Sequence, residues 1–88
     1  MINNKYKYSY NINPEANEKS FVDSCILIEK NLQGAKKENL IVDIDGSLIQ
    51  KYHIEGKEIV VYDDYYVDAV YVDSNINLDD IFKKKSKI

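Results

Sequence analysis

Three turn signals in the second half of the chain constrain its fold most. Asp45-Gly46-Ser47, Glu55-Gly56-Lys57 and Asp63-Asp64 divide it into short runs of mixed apolar and polar residues. These runs predict strands at 39–45, 47–54, 58–62 and 65–72. No helix-length segment separates them. Tight turns join antiparallel neighbours, whereas parallel strands need a crossover of roughly a dozen residues or more. The chain after Asn39 therefore reads as an antiparallel meander.

Upstream, residues 5–12 alternate. Tyr6, Tyr8, Tyr10 and Ile12 share one face, and Lys5, Lys7, Ser9 and Asn11 the other. Asn13-Pro14-Glu15 then reads as a helix cap, a proline at the first helical position and an early acid. The helix is predicted from Pro14 to Leu32, ahead of Gly34. Phe21, Cys25, Ile28 and Leu32 form its apolar stripe, widened by Val22 and Ile26. Leu78 to Phe82 predicts one helical turn capped by Asn77, with Ile81 and Phe82 folding back onto the domain. The expected class is α+β. An N-terminal strand and one amphipathic helix pack on a three- to four-stranded meander, with a short C-terminal helical turn. The 88 residues suit one domain, with 83–88 as a flexible lysine-rich tail.

Register follows from keeping apolar residues together. A loop at 63–65 sets Val61 opposite Val67 and Ile59 opposite Ala69. The outer face then includes Ile49, Val60, Tyr62, Tyr66, Val70 and Val72. That is too apolar for a face left to water, so the tail, a second copy or a partner is expected to cover it.

Composition excludes several classes. The single Cys25 permits no internal disulfide, and no Cys/His cluster offers a zinc site. Neither a secretory signal nor a membrane-length apolar run is present, so a cytoplasmic location is expected. All twelve basic residues are Lys, and the net charge is −3. Bidentate phosphate and guanine recognition favours Arg, so direct nucleic-acid binding is a poor fit.

Leu40-Ile41-Val42-Asp43-Ile44-Asp45-Gly46-Ser47 resembles the first motif of haloacid-dehalogenase-type phosphatases, an apolar strand ending in Asp-x-Asp-Gly-Thr. The resemblance implies Asp43 as nucleophile and Asp45 as general acid. It covers about ten residues, with Ser47 in place of Thr and no helix after Gly46 to build the family's parallel sheet. A hairpin reading is preferred, and no catalytic residue, metal or cofactor is assigned. An EF-hand is excluded because Ile41 would occupy its first ligand position. His53 and Cys25 fall on opposite sides of the expected sheet, so they form no catalytic pair. The alternating tyrosines of the first strand read as buried rings rather than a base-stacking platform.

One feature points to function. From Glu58 to Asp80 there are seven acids and no Lys, with four tyrosines threaded between them. A lysine cluster follows at 83–87. Tyrosine suits interface anchors, and segregated charge steers partners of opposite sign. Tyr62, Asp63, Asp64, Tyr65, Tyr66, Asp68 and Asp73 are the expected partner-binding set. The expected protein is a non-enzymatic inhibitor of a basic protein: an immunity protein or antitoxin acting on a cognate nuclease toxin. A phage-encoded nucleic-acid mimic and a self-associating domain are the alternatives. Reversing the charge of Asp63 and Asp68 is expected to leave the fold intact and slow association.

Overall fold

The glycine-centred turns do reverse the chain, and the meander they make lies at the heart of one mixed-length sheet. The structure, a computed structural model, describes residues 5–82. Its elements are β1 (Tyr8–Asn13), α1 (Glu18–Asn31), β2 (Lys36–Lys37), β3 (Ile41–Val42), β4 (Leu48–Ile54), β5 (Lys57–Asp64) and β6 (Ala69–Ser74). The six strands run in the order β1-β6-β5-β4-β2, with β3 also pairing β4, and every pairing is antiparallel. One helix packs on one face of this sheet, so the class is α+β.

The inner face carries the core. Tyr52, Ile59, Val61, Val70 and Val72 come from the sheet and are fully buried. Phe21, Cys25 and Ile28 of α1 pack onto them, as the helical spacing requires. Val22 and Ile26 do not widen the stripe. They are exposed, and Ser24 is buried in their stead, its hydroxyl turned back onto the Ser20 carbonyl at 2.9 Å. The helix therefore presents a narrower apolar face than its sequence offers. Tyr52 donates a 2.6 Å hydrogen bond to Glu29, which also pairs with Lys37. These two partners, Tyr52 first, hold the Glu29 carboxyl below its ordinary range. The C-terminal turn forms as expected. Ile81 and Phe82 donate to the Leu78 carbonyl, Asn77 caps the turn, and Leu78 and Phe82 join the core.

Three expectations are corrected. First, the helix starts at Glu18 rather than Pro14, because Asn17 is the cap and accepts the Ser20 amide at 2.9 Å. Residues 14–16 form the approach to it. Second, the predicted strand at 39–45 is only a two-residue ladder, Ile41–Val42, preceded by the unforeseen β2. Third, β5 runs through Asp63 and Asp64 instead of turning at them, and the turn falls at 65–68. Asp64 explains the delay: its Oδ1 accepts the amides of Tyr66 and Val67, while Asp68 closes the turn at φ 61. The register becomes Ile59↔Ser74, Val61↔Val72 and Asp64↔Ala69. That odd shift reverses the faces of β6. Val70 and Val72 point inward, and Tyr71 and Asp73 point outward.

The outer face is accordingly less apolar than expected. Tyr62 and Tyr71 stack across β5 and β6, with ring centroids 4.5 Å apart and planes at 20°. Tyr6 departs from the predicted alternation: it precedes β1, and its hydroxyl donates to Glu58 on this outer side at 3.1 Å. Val60 faces outward, yet it is fully buried between its cross-strand neighbours Lys51 and Asp73. The expected lysine-rich tail at 83–88 lies outside the described residues.

Candidate functional site

Two turns meet at one end of the sheet because Leu48 pairs with Asp63. They are the β3–β4 turn around Gly46 and the β5–β6 turn at 65–68. Their tie is the Ser47 hydroxyl, which accepts the Tyr65 amide at 2.8 Å. Gly46 sits at φ 92, and a Cβ there would come within 3.1 Å of the Tyr65 ring. Only glycine permits both the backbone conformation and that close approach.

Between the turns lies an open groove of about 210 Å³. Asp43, Asp45, Asp64, Tyr62, Tyr66, Ser47, Leu48 and Ile49 line it. Three carboxylates and two phenol rings thus surround one concavity whose lining contains no lysine. Each carboxylate is held by the backbone. Asp43 accepts the Ile44 amide at 2.8 Å, and Asp45 accepts the Ser47 amide at 2.9 Å. The backbone and side-chain hydrogen bonds of Ser47 keep the Asp45 carboxyl below its usual range, so it stays charged. Asp64 uses Oδ1 for the turn and Oδ2 for the Tyr71 hydroxyl, at 2.7 Å. Burial, then this bond to Asp64, raises the Tyr71 pKa. Tyr66 stands 89% exposed beside the groove, with Tyr65 and Val67 also exposed. Charge and aromatic area are thereby displayed with the acids already oriented.

The expected partner-binding set divides. Tyr62, Asp64 and Tyr66 line the groove, and Tyr65 lies on the adjoining turn. Asp73 does not join them. It lies farther along the outer face, where its Oδ1 accepts the Ser9 hydroxyl at 2.8 Å. Asp63 is a correction: it is fully buried on the inner face, and its Oδ1 accepts the Asn17 amide at 2.8 Å. It holds the start of α1 and meets no partner. Asp68 is exposed but has a similar duty, accepting the Ala16 amide at 2.9 Å. Reversing both charges would therefore unseat the helix, contrary to the sequence expectation. Asp43 and Asp45 were missing from the expected set. Their Asp-x-Asp-Gly spacing was the available signal, since it places two acids on one glycine turn.

The phosphatase resemblance finds no parallel sheet here, for after Gly46 the chain folds straight back as β4. His53 lies on the outer face paired with Glu38, and Cys25 lies on the buried face of α1, on the other side of the sheet. Among the described residues, no group of three or more His, Cys, Asp or Glu side chains is arranged to hold a metal ion, and no helix is long and apolar enough to cross a membrane. No family model matches the chain, and comparison with curated proteins and with solved structures finds no match.

Proposed function

We propose that this chain is a small protein-binding inhibitor that docks a cationic protein into the groove between its β3–β4 and β5–β6 turns. The observation that carries the reading is the groove's lining: Asp43, Asp45 and Asp64 with Tyr62 and Tyr66, and no cation among them. A lysine or arginine of the partner would enter between the carboxylates and lie against the phenol rings. Such contacts combine charge-assisted hydrogen bonds with cation–π attraction. Tyr66 and Tyr65 would anchor the surrounding surface, as exposed aromatic side chains commonly do.

The partner class follows from the same chemistry. Carboxylates fixed by backbone amides can occupy positions that a basic protein reserves for phosphates. A nuclease of the toxin kind is the fitting target, and the chain would act as its immunity protein or antitoxin. Inhibition would be steric and electrostatic, with no reaction on this molecule.

The test is affinity capture from the source lysate with the wild-type chain and with Tyr66→Ala, followed by assay of the recovered protein. A cationic partner held by wild type, lost with Tyr66→Ala, and inhibited in nucleic-acid cleavage supports the reading. A partner retained equally by both chains, or one that is acidic, overturns it.

A further inference from the structure

The acids of the groove differ from others on the domain. Asp23, Glu29, Glu38 and Glu58 are each paired with a basic side chain: Lys19, Lys37, His53 and Lys51. Asp43, Asp45 and Asp64 form no ion pair among the described residues. Beside them in the same lining lie Leu48, Ile49 and the rings of Tyr62 and Tyr66. Unbalanced charge next to apolar and aromatic surface suits lysine, whose methylene stem packs on apolar area while its ammonium meets a carboxylate.

The chain itself carries such a segment. Lys83, Lys84, Lys85 and Lys87 follow Phe82. Asp79 and Asp80, the acids just before it, offset at most two of these four charges. The segment sets out from the wrong side to reach the groove of its own molecule. Phe82 lies in the core on the inner face, its ring 5.9 Å from that of Tyr10. Tyr62, Asp64 and Ile49 reach the groove from the outer face. A path between the two must go round the sheet, in a domain whose least extent is 31 Å. Lys87 is five residues past Phe82, about 17 Å of fully extended chain. A neighbouring molecule's segment is under no such limit.

We propose that the groove also receives the segment Lys83–Lys87 of a second copy, so that self-association competes with the cationic partner for one site. The inference rests on the reading that this groove takes cations, and it adds a regulator of the groove's occupancy. The contact joins two unlike patches, segment and groove, so each copy can give one and receive another.

The test is sedimentation of three full-length chains at low salt: wild type, a groove variant (Asp43→Asn, Asp45→Asn, Asp64→Asn) and a tail variant (Lys83→Gln, Lys84→Gln, Lys85→Gln, Lys87→Gln). Wild type should rise above 10.2 kDa with concentration and return toward it at high salt. Each variant alone should stay monomeric. An equal mixture of the two should associate, because the groove variant keeps the lysines and the tail variant keeps the acids. A wild type that is monomeric at every concentration overturns the proposal. So does association that survives in either variant alone, or a mixture that stays monomeric. Capture of a cationic partner by the tail variant separates the two readings. If that partner is captured while wild type stays monomeric, the self-association fails alone. If the mixture associates but no cationic protein is captured, the self-association stands and the inhibitor reading fails.

Discussion

Asp63 Oδ1 accepts the backbone amide of Asn17 at 2.8 Å, joining the end of β5 to the cap of α1. The carboxyl is fully buried, and its Oδ2 has no hydrogen-bond partner among the described residues. An acid placed here also complements the positive end of the helix dipole. Asp68 holds the preceding amide, that of Ala16, in the same way. The approach to the helix is thus fixed by acids from the end of β5 and the turn that follows it, and the Asn17 side chain completes the cap.

Asp63→Ala should lower stability by about 1–3 kcal/mol, because it leaves the Asn17 amide unsatisfied and a polar cavity under the helix. Urea unfolding monitored by circular dichroism measures this. Asp68→Gly, at an exposed position whose φ of 61 glycine adopts without strain, should cost less. Equal and negligible losses for both would mean that the helix start does not depend on these carboxylates.

Gly46→Ala should be unfavourable for two reasons. The residue sits at φ 92, a region that costs an L side chain about 1–2 kcal/mol, and the added methyl would press on the Tyr65 ring. Gly56→Ala is the control, since its φ is 79 but nothing lies within 4 Å of the new Cβ. Thermal unfolding should rank Gly46→Ala below Gly56→Ala, with changed chemical shifts at Tyr65 only in the former.

Alkali should weaken the fold in a defined window. Burial, then the 2.8 Å hydrogen bond to Asp79, pushes the Tyr10 pKa from 10.0 up to about 12. The folded state holds this proton more tightly than the unfolded chain does. Its contribution is therefore complete below pH 10 and disappears as the pH rises through about 12. Tyr6, Tyr52 and Tyr71 are raised as well, chiefly by burial, and act in the same direction. Unfolding free energy measured from pH 8 upward should hold steady to about 10 and then fall. Tyr10→Phe should make that fall shallower; an unchanged slope would remove Tyr10 from this explanation.

The sequence revealed the layer arrangement well, because periodicity and turn residues are local signals. Strand β1, the helix stripe Phe21-Cys25-Ile28, the Gly46 and Gly56 turns and the capped C-terminal turn were all legible. The register of β6 was not. Asp63-Asp64 looks like a turn, but the strand continues through it because Asp63 is buried beneath α1 and Asp64 holds the amides of the turn that follows. That one misplacement exchanged the faces of Val70 and Val72. It also put Asp63 among surface residues. Asn13-Pro14 presents a stronger local cap signal than Asn17, while the amides that Asp63 and Asp68 capture lie 46 and 52 residues away in sequence. The groove was half legible. Tyr62, Asp64, Tyr65 and Tyr66 are contiguous in sequence or nearly so, but Asp43 and Asp45 reach them only through the Leu48↔Asp63 pairing.

The most direct test of cationic docking is the association rate of the captured partner with wild type and with the triple variant Asp43→Asn, Asp45→Asn, Asp64→Asn. Asparagine keeps each side-chain oxygen that accepts a turn amide, so the variant removes three charges and leaves the turns formed. At low salt its association should be slower than wild type by roughly tenfold or more, and the difference should shrink as salt rises. Identical rates for the two chains at every salt concentration would contradict the account.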